Sequence, residues 1–126
     1  MLNIDKINFG RESEKIVLEE YLKNEYIMVA ENFQYYAKGR PGRRGEIDLI
    51  FKKDKILVLV EVKARKNQRF GSVFEQISYS KIQTLKKVYS YFIACNPEYR
   101  YYYVRVDLAC IYKGLLTVID NAMSFE

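Results

Sequence analysis

The chain has 126 residues, 49% of them hydrophobic and 29% charged, which is the balance of a globular protein and enough for one domain over residues 1–126 but not two. It carries 21 basic and 16 acidic residues, a net charge of +5, and no histidine. The missing imidazole excludes Ser/His and Cys/His nucleophilic catalysis, and with only two cysteines a closed structural zinc site is excluded as well. Acid–base or metal chemistry must then rest on carboxylates, lysines and tyrosines. The longest aliphatic run, Ile56 to Val60, stops at Glu61, far short of a membrane span. The start Met1-Leu2-Asn3-Ile4-Asp5 has no signal-peptide pattern, so a cytoplasmic protein without membrane attachment is expected. Cys95 and Cys110 lie in contexts that read as half-buried, reduced thiols.

In chain order, Arg11 to about Asn24 reads as an amphipathic helix, with Glu14, Val17, Leu18, Tyr21 and Glu25 at the spacing of one face. Tyr26 to about Tyr36 is rich in β-branched and aromatic residues and predicts a strand. Gly39 to Gly45 is a loop. Glu46 to Phe51 predicts a second strand, with Glu46, Asp48 and Ile50 on one face and Ile47, Leu49 and Phe51 on the other. After the polar turn Lys52 to Lys55, Ile56 to Lys63 predicts a strand apolar on both faces, hence central, and antiparallel to its predecessor. A loop at 67–72 leads on to a helix from about Ser78 to Ala94, with Ile82, Leu85, Tyr89 and Phe92 inward, ended by Asn96-Pro97. Tyr101 to Tyr112 and Leu115 to Asp120 are strands joined by Lys113-Gly114. The expected fold is α/β, with a mixed sheet flanked by helices.

Two carboxylates in buried-looking strands need an explanation, because an unpartnered carboxylate in a core costs several kcal/mol, about the worth of a whole domain's margin. Glu61 and Lys63 share a face of the third strand, as Glu46 and Asp48 do one strand earlier. In a hairpin around Lys52 to Lys55, Ile50 is expected near Leu57 and Asp48 near Leu59 or Glu61. Asp48 and Glu61 side by side with a backbone carbonyl, that of Val62, form a partial oxygen cage suited to Mg²⁺ or Mn²⁺. Lys63 beside it would orient an attacking water or stabilise charge on a phosphate. The bland alternative is a structural ion-pair cluster at a sheet end. Two runs hold four cations in seven residues each, one on either side of this strand pair: Lys38, Arg40, Arg43 and Arg44, then Lys63, Arg65, Lys66 and Arg69. They suit a polyanion.

Gly45-Glu46-Ile47-Asp48-Leu49-Ile50, Val60-Glu61-Val62-Lys63-Ala64-Arg65, Gly71 and Lys81 resemble the YraN-like family of bacterial proteins, itself similar to the PD-(D/E)XK nuclease superfamily. The similarity runs from about Gly10 to Asp107. It implies a restriction-endonuclease-like α-β-β-β-α-β core, Asp48 and Glu61 as metal ligands, Lys63 as catalytic lysine, and Glu14 as the auxiliary acid of the first helix. Departures are Ile47 where the superfamily name has proline, Ser13-Glu14 for Gly-Glu, Arg105-Val106-Asp107 for Arg-Phe-Asp, and a longer, more basic segment from Tyr36 to Arg44. Lys81 reads as a phosphate contact or a solvated first-turn lysine, and Gln76 as an ordinary loop residue, with placement of a water or phosphate as the alternative. Glu46 is expected in the outer shell or paired with Arg44, and Asp107 paired with an arginine. Tyr99, Tyr101, Tyr102 and Tyr103 read as strand or interface residues, with stacking on bases as the alternative.

The resulting expectation is a metal-dependent endonuclease acting on DNA or RNA, with DNA favoured as the partner and with branched substrates and a homodimer left open. A catalytically silent nucleic-acid-binding module of the same fold and a purely structural interaction domain are its rivals.

Overall fold

The computed structural model describes residues 4–36, 39, 41–42, 45–65, 79–123 and 125. Helix α1 (Ile4–Lys23) is followed by strands β1 (Ile27–Tyr35), β2 (Gly45–Lys53) and β3 (Ile56–Arg65). Helix α2 (Tyr79–Cys95), a short 3-10 turn (Pro97–Tyr99), and strands β4 (Tyr103–Tyr112) and β5 (Leu115–Met123) complete the chain. The strands form one sheet in the order β1-β2-β3-β4-β5, antiparallel except for the parallel β3–β4 pair that α2 connects. This is the α-β-β-β-α-β core with β5 added at the edge, and β3 occupies the centre as its two apolar faces require.

Among the described residues each face of the sheet carries one helix. Val17 and Tyr21, one helical turn apart, bury against Leu49, Phe51, Val58, Val60, Ala109 and Ile111. On the other face Leu85, Val88 and Phe92 of α2 cover Ile47, Ile50, Leu57, Leu59 and Val106. Helix α1 begins at Ile4, seven residues before the apolar spacing starts. It ends in a Schellman cap, with Glu25 in the left-handed region (φ 69) and the Tyr26 N–H donating to the Tyr21 carbonyl at 3.0 Å. Glu25 therefore lies beyond the helix and does not extend its inward face. Cys110 is buried but Cys95, at the exposed end of α2, is not the half-buried thiol expected from its context.

Three further differences come from local backbone geometry. The β2–β3 turn uses two residues, Asp54 (φ 55) and Lys55, so Ile50 pairs with Leu59 instead of Leu57. Strict alternation also fails in β2: Ile47 and Ile50, three apart, pack in the same core beside α2. Asp48 lies in the step where the strand changes face, between the pairs Glu31↔Leu49 and Phe33↔Ile47, and the β1 residue in that step, Asn32, is left-handed (φ 50). Finally, β4 and β5 shift register between Val106 and Leu108. There the fully buried Asp107 accepts from Tyr21 Oη at 2.6 Å, Arg105 Nε at 2.8 Å and the Asn121 N–H at 3.0 Å.

Asp107 thereby ties α1, β4 and β5 to one carboxylate and has the arginine partner expected of it. Asp107→Ala would strand the Arg105 charge, the Tyr21 hydroxyl and the Asn121 N–H together. The expected loss is about 3 kcal/mol or more of unfolding free energy, read from urea denaturation against Arg105→Ala and the double variant; a loss within 0.5 kcal/mol, roughly that of an ordinary surface change, would contradict this role.

Candidate active site

The β2–β3 ladder stops at Leu49↔Val60, and one further rung would set Asp48 opposite Glu61. Beyond that rung the Val62 N–H donates to Asp48 Oδ2 at 2.8 Å, so a side chain takes the place of a ladder carbonyl. In an extended strand the N–H and C=O of one residue point to the same edge. The Val62 carbonyl is thus directed toward the edge where Asp48 lies.

Glu61 and Lys63 follow strand alternation onto one face, and Lys63 Nζ lies 3.3 Å from Glu61 Oε1. Lys81, in the first turn of α2, reaches the same oxygen at 3.1 Å. Its approach depends on Gly45. A Cβ there would meet Val88 Cγ2 at 2.7 Å and Thr84 Cγ2 at 2.9 Å, and these residues lie one and two turns along the helix from Lys81. The glycine that opens the Gly-Glu-Ile-Asp stretch lets α2 close onto the sheet and deliver its lysine.

Glu14 comes from α1 toward the same group of acids, placed there by a hydrogen bond from the Asn32 side chain. Burial raises its carboxyl above the usual range; the Asn32 bond opposes this and the charges of Glu31 and Glu46 add to it. Asp48 is pushed up to about 7, first by burial and next by the charge of Glu61, against the lowering bond from Val62, with Glu46 and Glu14 contributing further. Burial and the adjacent Lys63 hold Lys81 below the ordinary lysine range, while Glu61 works the other way. Lys63 is raised: burial opposes its charge, but the hydrogen bond with Lys81 and the carboxylate of Glu61 outweigh it. The two amines meet at one carboxylate oxygen, and Lys63 is the stronger holder of its proton.

The structure therefore brings together Glu14, Asp48, Glu61, Val62, Lys63 and Lys81 among the residues expected from sequence. Lys38, Arg40, Arg43, Arg44, Lys66, Arg69, Gly71 and Gln76 lie outside the described residues, as does the side chain of Arg65. The tyrosine cluster divides: Tyr99 and Tyr102 pack against the α2-side core, whereas Tyr101 and Tyr103 are 83% and 77% exposed. The positional roles of two residues escaped the sequence reading, those of Asn32 and Gly45. The available signal for Asn32 was an asparagine inside a β-rich run, since this residue type avoids strands and tolerates left-handed backbone.

The profile of the family described as "Uncharacterised protein family UPF0102" matches residues 13–111. The chain belongs to the UPF0102 family. The UPF0102 protein of Caldicellulosiruptor bescii is 37% identical over 103 residues, 82% of this chain and 81% of that protein. The UPF0102 protein of Thermodesulfovibrio yellowstonii is 32% identical over 117 residues, 93% and 96% of the two chains. That of Petrotoga mobilis is 33% identical over 102 residues, 81% and 84%. The matched span contains every UPF0102 residue of the site, from Glu14 through Lys81. No described helix is long and apolar enough to cross a membrane.

Asp48 has a pH signature. Because its folded pKa lies above the ordinary aspartate value of 3.8, the folded state holds more protons than the unfolded one between about pH 4 and 7. Stability should fall as pH rises through that window, and the full cost, of order a few kcal/mol, is present above it. Asp48→Asn keeps an acceptor for Val62 and removes the charge. It should stabilise the chain at pH 8 and by much less at pH 4, in urea melts without divalent ions; equal effects at both would refute the shift.

Proposed function

We propose that this chain is a metal-dependent phosphodiesterase acting on nucleic acid, an endonuclease of restriction-endonuclease-like type. The observation that carries the reading is the close pair Asp48 and Glu61 at the splayed end of the β2–β3 hairpin: a half-buried carboxyl whose charge is opposed by its surroundings and relieved by a cation. Among the described residues no three acidic or cysteine side chains form a ready ligand set. The donor set is instead two carboxylates and a strand carbonyl, which suits a hard divalent ion that keeps waters for its substrate. Asp48, Glu61 and the Val62 carbonyl would hold Mg²⁺ or Mn²⁺, which supplies charge neutralisation at a phosphate oxygen and acidifies a bound water.

The chain's own residues do the rest. Lys63, fixed beside Glu61 by strand geometry, aligns the attacking water and faces the charge that grows on the phosphate. The water oxygen bonds phosphorus in line, the bond to the leaving sugar oxygen breaks, and that oxygen takes a proton. Glu14, tied to Asn32, contributes through water. Both basic segments join the described strands at this end of the sheet, one entering β2 at Gly45 and the other leaving β3 at Arg65. That placement supports a polyanionic substrate, with DNA favoured. A catalytically silent nucleic-acid-binding module is the second reading, supported by the two lysines that already neutralise Glu61.

The test is cleavage of labelled duplex, single-stranded and branched DNA and of RNA with Mg²⁺ or Mn²⁺. Glu61→Ala and Lys63→Met should each lose roughly 10²-fold or more in rate while keeping wild-type far-UV CD. Cleavage at wild-type rate by both variants would sink the mechanism. No cleavage of any substrate by wild type, together with binding that weakens steeply as salt rises, would favour the silent module.

A further inference from the structure

Lys81 is the one residue of the site whose position matches neither role expected for it. Its ammonium neither projects into solvent as a first-turn lysine would nor stands clear for a phosphate; it lies 3.1 Å from Glu61 Oε1 with its side chain 31% exposed. Lys63 reaches that same oxygen at 3.3 Å. Two cations on one carboxylate oxygen repel each other, and a carboxylate that must also bind a divalent ion cannot offer that oxygen to three partners. The two lysines differ in how they are held. Lys63 belongs to β3, whose rungs with β4 continue through Lys63↔Cys110 to Arg65↔Tyr112. Lys81 hangs from a helix end by a long aliphatic stem and can leave Oε1 by rotation of its side chain alone.

We propose that Lys81 is a stand-in for the metal: it occupies Glu61 Oε1 while the centre holds no ion, is displaced when a divalent cation binds, and then turns to the substrate phosphate. The inference rests on the metal-centre reading above and adds a linkage to it. Metal uptake and lysine release become one event, so the phosphate-binding cation is exposed only in the loaded site. Neither lysine need be lost for this; Lys63 stays beside Glu61 throughout. By reciprocity, whatever Lys81 gains from Glu61 is subtracted from the metal's affinity.

Two measurements test the proposal without reading activity. In the first, Mn²⁺ is titrated calorimetrically into wild type, Lys81→Met, Lys81→Arg and Asp48→Asn/Glu61→Gln. Lys81→Met should bind Mn²⁺ at least roughly fivefold more tightly than wild type, the low end of ordinary site coupling. Lys81→Arg, which keeps a cation, should stay close to wild type. In the second, acylation of individual lysines at one fixed pH is followed by mass spectrometry with and without Mn²⁺. Labelling of Lys81 should rise several-fold on Mn²⁺ addition in wild type and should already be high in Glu61→Gln without the ion.

Unchanged or weaker Mn²⁺ binding by Lys81→Met, or Lys81 labelling that ignores the ion, would overturn the stand-in role and leave the metal centre intact. Wild-type-like Mn²⁺ binding by the Asp48→Asn/Glu61→Gln variant, or no binding by any of the four proteins, would overturn both the metal centre and the role built on it.

Discussion

A carboxylate inside a protein needs either a counter-charge or a proton, and two aspartates of this chain meet that demand in opposite ways. Asp107 is fully buried and surrounded by donors: the Arg105 guanidinium on two atoms, a tyrosine hydroxyl and a backbone N–H. Its charge is neutralised by the fold. Asp48 is half-buried, accepts one described hydrogen bond, and faces three other acids instead of an arginine. Lys63 offers it a positive charge, but burial and the surrounding acids outweigh that and keep its carboxyl raised. Asp107 sits where a ladder shifts register and Asp48 one rung past the end of one, and both accept a backbone N–H from the neighbouring strand. The donors around Asp107 outnumber its acidic neighbours, whereas among the described residues Asp48 meets more acids than donors.

The site is built from interruptions in regular structure. The β2–β3 ladder ends one rung before Asp48, which frees Val62 to meet a side chain. In β1, left-handed Asn32 lies in the step that contains Asp48 in β2, and its amide holds Glu14 of α1. Gly45 removes the side chain that would keep α2 away. Three elements that are far apart in sequence thus converge on one end of the sheet, and the hydrophobic faces of α1 and α2 fix their approach from opposite sides.

Much of this was legible in the sequence. Alternation placed Glu61 and Lys63 together because β3 is regular along its whole length, and its doubly apolar pattern marked it as central. The identity of the carboxylate pair was legible for the same reason. Alternation misplaced Ile47 because it assumes an unbroken strand, and the break falls at the residue with the greatest chemical interest. The register came out two residues off because four polar residues were read as the turn, whereas Lys52 and Lys53 belong to β2. The start of α1 was missed because its first residues lack the apolar spacing that marked the rest. Neither Lys81's partner nor Gly45's neighbour could be read, since both depend on how closely a helix docks.

The two sides of the site are anchored unequally. Glu61 and Lys63 stand on a strand bonded to β4 throughout its ten residues. Asp48 stands on a strand bonded to β1 on its far side and to β3 only as far as Leu49↔Val60, and past that rung one described hydrogen bond joins it to Val62. One jaw is therefore fixed and the other is adjustable. Beyond Leu49↔Val60 the spacing of the two carboxylates is set by one described hydrogen bond in place of a ladder pair, so β2 can shift there without breaking a rung of the sheet.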